Sequence, residues 1–162
     1  MNKFSKAGFI AAAVAVLLPQ AALAKHPTAS PLWNGTWQLN VATSKLGSAA
    51  GKRSETRVYS VDGNKLTLTA TGTDASGKPT QYNYTGTFDG KPHPMVGNPV
   101  GDNIAVTLVN PRRIDATVRK GKTMTATGRS VISPDGKHMT LTRKTLRAKS
   151  RPMIDVMAFD KK

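Results

Sequence analysis

The chain contains no cysteine. That excludes disulfide staples, thiol nucleophiles and thiolate-held metals together, so the fold rests on packing and hydrogen bonding alone. Acid is scarce as well: nine Asp and Glu stand against 24 Lys and Arg, and Glu55 is the sole glutamate. No two carboxylates lie near one another in the manner of an acid–base pair, no Gly-x-Ser-x-Gly elbow is present, and no glycine-rich phosphate loop leads into a helix. His26, His93 and His138 fall at no metal-ligand spacing. The chain is therefore read as no enzyme, with no catalytic residue, no metal and no cofactor expected. Long apolar runs are missing too. The longest, Gly8 to Leu18, falls short of the roughly 20 residues that a helical membrane span needs.

That run has the surroundings of a secretory signal. Lys3 and Lys6 precede it and Ala22-Leu23-Ala24 follows as a small-residue cleavage box. Cleavage after Ala24 is expected, placing the mature protein in the periplasm or outside the cell with no transmembrane segment. No cysteine follows the box, so a thioether lipid anchor is excluded. Removing 24 of 162 residues leaves 138, a common size for a single domain with a core of its own. The domain reading is a signal peptide over 1–24, an N-terminal arm over 25–33 containing Pro27 and Pro31, and a β domain over 34–162.

Basic charge is abundant. Two of the 24 basic residues lie in the leader, which leaves 22 against nine acids, a net +13. Between Pro111 and Arg151 stand twelve basic residues against Asp115 and Asp135. Such a field favours polyanions or anionic lipid without naming one, and the bland reading is a solvated basic surface.

Period-two alternation runs through most of the mature chain. Trp37, Leu39 and Val41 share one face of a first strand that begins at Gly35. Leu66, Leu68 and Ala70 alternate with threonines, as do Tyr82, Tyr84 and Phe88 with polar residues. Ile104, Val106 and Leu108 follow, then Ile114, Ala116 and Val118, then Met124, Ala126 and Gly128, then Met139 and Leu141. Asp62-Gly63-Asn64, Lys120-Gly121-Lys122 and Ser133-Pro134-Asp135-Gly136 punctuate these runs as turns. The stretch His93 to Pro99, with two prolines, reads as an irregular crossing. No helix is convincing. Consecutive hairpins of this kind leave two bare edges unless the sheet closes. The expectation is an all-β, single antiparallel up-and-down barrel of about 8–10 strands with Trp37 as a plug at one end.

Gly35-Thr36-Trp37 resembles the G-x-W signature of the lipocalin and fatty-acid-binding superfamily. A closer resemblance is to uncharacterised secreted bacterial lipocalin-like proteins. It is carried by Gly-Thr-Trp-x-Leu-Asn-x-x-x-Ser at Gly35 to Ser44, Asp-Gly-Lys-x-x-Pro at Asp89 to Pro94, and Ser-x-Asp-Gly-Lys-x-Met-Thr at Ser133 to Thr140. This implies a lipocalin-like barrel and carries no activity with it. It also implies an arginine from a late strand over the tryptophan, for which Arg143 is the best match, with Arg129 and Arg147 competing. Gly35, Trp37 and Arg143 are thus the structural signature.

Two functional readings follow. Trp33, Tyr82, Tyr84 and Phe88 are candidates for lining a cavity that holds a small apolar or amphipathic ligand, in a non-enzymatic extracytoplasmic binding protein. Small inward residues (Ala70, Gly86, Ala116, Ala126, Gly128) leave room for one, while a filled core is the alternative. The other reading is a basic surface-interaction protein in which Arg143, Lys144, Arg147, Lys149 and Arg151 meet anionic lipid or another polyanion. Specific nucleic-acid recognition is not expected, because no aromatic is interleaved with those cations.

Overall fold

The computed structural model describes residues 27–47 and 54–162. The expected leader, His26 and most of the loop after the first strand lie outside the described residues. Ten strands succeed one another: β1 (Gly35–Lys45), β2 (Ser54–Asp62), β3 (Lys65–Thr73), β4 (Pro79–Thr87), β5 (Asp89–Val96), β6 (Asn103–Asn110), β7 (Arg113–Lys120), β8 (Thr123–Ile132), β9 (His138–Thr145) and β10 (Met153–Lys161). Each pairs antiparallel with the next, and β10 returns to pair with β1. The barrel is closed, as the run of hairpins led one to expect, with up-and-down order throughout.

Two of three inward rungs between β3 and β4 match a large residue to a small one. Across β3 and β4, Leu66 stands opposite Gly86, Leu68 opposite Tyr84 and Ala70 opposite Tyr82. At Gly86 an added Cβ would lie 2.3 Å from the Tyr84 hydroxyl, so the phenol occupies the space that the glycine leaves.

One end is sealed. Trp33, Trp37, Ile132, Met139 and Phe159 pack there, all fully buried or nearly so. A 3-10 turn, Pro31–Trp33, brings Trp33 into this plug. Trp33 Nε1 donates to the Pro111 carbonyl at 2.9 Å, and Trp37 Nε1 donates to the Trp33 carbonyl at 3.2 Å. Both indole N–H groups are satisfied, which their burial demands. Ser30 N also donates to Pro111 O at 2.9 Å, so the expected arm is tied across the barrel floor. Gly35 leaves the cap at φ 120°, a conformation that a side chain would resist.

The cation over Trp37 is Lys161, not Arg143. Lys161 Nζ sits 5.1 Å from the indole centroid and donates to Leu32 O at 2.8 Å. The register explains the correction: Trp37 pairs with Lys161, whereas Arg143 pairs with Asp155, six residues further along β10. Six residues of strand amount to roughly 20 Å.

Other departures come from bulges and prolines. Between Asn40 and Lys45 the β1–β10 register shifts, and Val41 turns outward instead of following Trp37 and Leu39 inside. A shift after Val118 does the same to Met124. The expected irregular crossing at 93–99 is largely strand, since β5 runs to Val96. Pro92 and Pro94 have no N–H to give, and β5 accordingly pairs with β4 at just Asn83↔Val96 and Tyr84↔Met95.

Side chains lace the closing seam. Asp160 of β10 accepts from Asn40 of β1 at 2.9 Å and meets His138 of β9 at 2.9 Å. The Asn40 bond first, then His138, holds the Asp160 carboxyl below its ordinary value. A depressed carboxylate contributes stability above its unfolded pKa of about 3.9, and loses it as pH falls through the lower folded value. Stability to urea is expected to hold from pH 7 to about 5 and to fall below about 4, less steeply in Asp160→Asn. Trp37→Ala is expected to cost about 3–5 kcal/mol, measured by equilibrium unfolding.

Candidate functional site

Inward positions next to the plug and above it carry a different chemistry. Alternation on β2 points Glu55, Arg57 and Tyr59 into the barrel and leaves Val58 exposed outside. Glu55 and Arg57 are 1% and 6% exposed, and Arg57 Nε donates to Glu55 Oε1 at 2.5 Å. Arg57 Nη1 donates to the Tyr59 hydroxyl at 3.1 Å. The guanidinium lies 5.1 Å from the Phe159 ring centroid and 5.8 Å from that of Tyr82. Burial by itself would lower the Arg57 pKa; the Glu55 carboxylate, with Tyr82 and Tyr59, more than offsets this and raises it well above normal. A buried cation is tolerated because its counter-charge is buried with it.

A second pair sits nearer the unsealed end. Arg143 on β9 donates through Nε and Nη2 to Asp155 Oδ2 on β10, at 3.1 and 2.7 Å. Asp155 is 1% exposed, and its other oxygen accepts Gly47 N at 2.9 Å. Arg143 keeps about a quarter of its side chain in solvent.

Between these groups and the floor lies a cavity of about 100 Å³. Leu66, Leu68, Val106, Ile114 and Leu141 form its apolar wall; Arg57, Tyr82, Tyr84, Ser130 and Arg143 supply its polar atoms. Ala116, Ala126 and Gly128 line it as well, and their missing side-chain volume is what leaves it open. Lining residues beside the plug are buried, while Asn98, Ile104, Val118 and Arg143 are partly exposed, so the mouth is at the end opposite Trp37. Burial pushes the Tyr84 hydroxyl up to about 12, with Asp89 adding to it. Tyr84 Oη is buried and bonds to nothing among the described residues. Burial likewise raises Tyr82 far above the phenol range. Both tyrosines are therefore neutral in any ordinary buffer.

The proposed ligand set thus divides. Tyr82 and Tyr84 line the cavity. Trp33 belongs to the plug, tilted against Tyr59 at 5.8 Å between centroids. Phe88 lies past the end of β4 and lines an outer hollow with Pro27, Thr28 and Leu108. That hollow and another across the outside of β6–β9 are larger, about 570 and 440 Å³. Both are open to solvent, and neither gathers buried polar groups as the interior does. The basic run divides as well: Arg143 faces inward on Asp155, while Lys144, Arg147, Lys149 and Arg151 are exposed. Sequence reading missed Glu55, Arg57 and Asp155. The available signal was the inverted alternation of β2, where charged and aromatic residues occupy one face and Val58 the other.

Among the described residues no three His, Cys, Asp or Glu side chains gather to hold a metal ion. No described helix is long and apolar enough to cross a membrane. His93 meets Asp89 and Thr87, each at 3.2 Å.

No family model matches the chain, and no curated protein matches it. Among solved structures it is similar to EF1p2_mFAP2b bound to DFHBI, with 12% identity over 81% of this chain and 94% of that one and a TM-score of 0.45. It is also similar to lobster apocrustacyanin A1, with 15% identity over 81% of this chain and 61% of that one and a TM-score of 0.44. Likeness at that level transfers no ligand to this chain.

Glu55→Gln strands Arg57 in the barrel without its counter-charge and is expected to cost about 3–5 kcal/mol. Glu55→Gln combined with Arg57→Met is expected to recover most of that loss, since no buried charge remains. Urea unfolding of the two variants measures the difference.

Proposed function

We propose that the chain is a non-enzymatic binding protein, acting outside the cytoplasm as its leader implies, and that it holds a small amphipathic molecule in the barrel. The observation that carries this reading is the interior space: lined by apolar side chains interspersed with polar groups, and reached from one end. The interior ion pairs Glu55–Arg57 and Arg143–Asp155 balance in charge, so the cavity favours a neutral molecule bearing a hydrogen-bonding group over a strong anion. Its size sets the scale. At about 100 Å³ it exceeds the roughly 10–15 Å³ that one water needs and falls below the roughly 300–1,000 Å³ of drug-sized pockets. The fitting class is a single ring or short chain carrying one hydroxyl or carbonyl. Tyr84 Oη is the polar atom with most to gain, since a ligand oxygen there supplies the bond that the protein does not.

The test is titration of residues 25–162 with small phenols and medium-chain alcohols, followed by tyrosine and tryptophan fluorescence and native mass spectrometry. Saturable one-to-one binding is expected. At Gly128 an added Cβ meets Leu141 Cδ1 at 3.5 Å and Ala116 Cβ at 4.0 Å, ordinary contacts, so Gly128→Ala takes cavity volume without strain. It is expected to weaken binding while leaving stability equal or higher by up to about 1 kcal/mol. Tyr84→Phe is expected to weaken binding of hydroxylated ligands alone. Binding unaffected by either change, or no saturable binding at all, would remove the cavity as the site.

A further inference from the structure

We propose that the open end of the barrel docks on an anionic lipid bilayer through the quadrant where β7, β8, β9 and β10 reach the mouth. This stands on different residues from the cavity and holds whether or not the cavity is filled.

Antiparallel order brings the last residues of β7 and β9 and the first residues of β8 and β10 to the same end. The turn at 121–122 and the segment 146–152 project beyond them. Six cations gather there: Lys120, Lys122, Lys144, Arg147, Lys149 and Arg151, all exposed. None of the six pairs with an acid among the described residues. Most of the protein's acid is engaged elsewhere: Asp115 by Arg113 and Arg129 on the outer wall, Asp160 by His138, Asp89 by His93, and Asp155 by Arg143 inside. Asp102 also reaches the quadrant, accepting the Gly121 N–H at 3.2 Å and the Asn103 amide at 2.7 Å. Asp74, on the far side of the mouth, accepts from Ser76 and Lys78 of its own turn.

Apolar side chains stand among these cations. Ile154 is 55% exposed and Met124 42%. They flank β9, and Ile154 pairs across the ladder with Lys144. The bulge after Val118 is what turns Met124 out of the barrel. Val96, 69% exposed, stands on the opposite rim. Burial inside the barrel explains none of the three. Cations that attract a negative surface within a Debye length, interleaved with apolar side chains that enter its interfacial layer, suit a bilayer. A soluble polyanion would draw on the cations alone, and a nucleic acid would find no aromatic platform in this quadrant. Docked in this way, the mouth faces the lipid, from which an amphipathic molecule could pass into the barrel without crossing water.

The ten strands and the plug all lie within residues 27–162, so residues 25–162 are the protein to test. Co-sedimentation with phosphatidylcholine vesicles containing about 30 mol% phosphatidylglycerol is expected to retain it, and pure phosphatidylcholine to release it. Raising salt from about 0.05 to about 0.5 M is expected to abolish retention. Lys149→Gln with Arg151→Gln is expected to lower affinity about twentyfold or more, each cation near such a surface being worth roughly fivefold. Lys65→Gln with Lys137→Gln, at the sealed end, is expected to change affinity less than threefold by the same scale. Ile154→Ser is expected to weaken vesicle binding severalfold while leaving the salt needed to elute the protein from heparin unchanged. Equal retention by neutral vesicles, or equal loss from the sealed-end variant, would overturn the proposal. So would an Ile154→Ser variant that binds vesicles as the parent does, because attraction to polyanions in general would then account for everything seen.

Discussion

Strand β1 is hydrogen-bonded along both edges, to β2 on one side and to β10 on the other, and the rest of the molecule answers to that closure. An open ten-stranded meander would expose two unpaired edges and leave one of its faces unshielded. Once the ladder returns on itself, every inward side chain must share one narrow volume with all the others. Apolar residues benefit from that enclosure. Charged ones are tolerated only when their counter-charge is enclosed with them, as Glu55 is beside Arg57 and Asp155 beside Arg143. The seam itself is reinforced from outside by Asn40, Asp160 and His138, three side chains on the three strands that meet there.

Closure also separates the two ends. At the floor, Trp33 and Trp37 bring bulk that no other pair in this chain could supply, and their N–H groups find carbonyls of the cap and of the β6–β7 connection. Towards the mouth the inward residues become small or polar, and a cavity remains where Ala116, Ala126 and Gly128 give the wall no depth. The scarcity of acid shapes the outside of the same end. With most carboxylates held in ion pairs or turns, the cations of the β7–β10 quadrant are left facing solvent, with Ile154 and Met124 among them. Interior and rim thus differ in chemistry: charge-balanced ion pairs and small apolar side chains within, and cations with no acid partner among the described residues without.

The alternation of apolar and polar residues was enough to specify an antiparallel meander of about 8–10 strands and to name most of their inward faces. Leu66-x-Leu68-x-Ala70, Tyr82-x-Tyr84 and Ile104-x-Val106-x-Leu108 all point where period two puts them, because a strand flanked by Asp-Gly or Lys-Gly turns has little choice of face. A preference for closure over an open sheet was also legible, since it follows from the bare edges that a meander this long would leave. Where period two failed, at Val41 and Met124, an inserted residue in one strand shifted the register, and nothing local to those residues announces a bulge. Around Pro92 and Pro94 the lost N–H donors suggested a break in the sheet; β5 persists because β6 on its other side supplies enough pairing.

What the linear chain could not disclose is which side chains meet across the barrel. Arg143 and Lys161 are both late-strand cations of the kind expected over Trp37. The choice between them turns on a pairing register counted along β10, roughly 20 Å of strand, and not on any motif. Likewise, Phe88 continues the face of Tyr82 and Tyr84 in the sequence but lies past the end of its strand, where it packs at the edge of the core and not on the cavity. Fold class, strand order and the basic excess are properties of short-range pattern and composition, and they were determined by the sequence. The partners of Glu55, Arg57 and Asp155, the size of the cavity and the end at which it opens were decided by closure, because each is set by atoms on strands far apart in the chain.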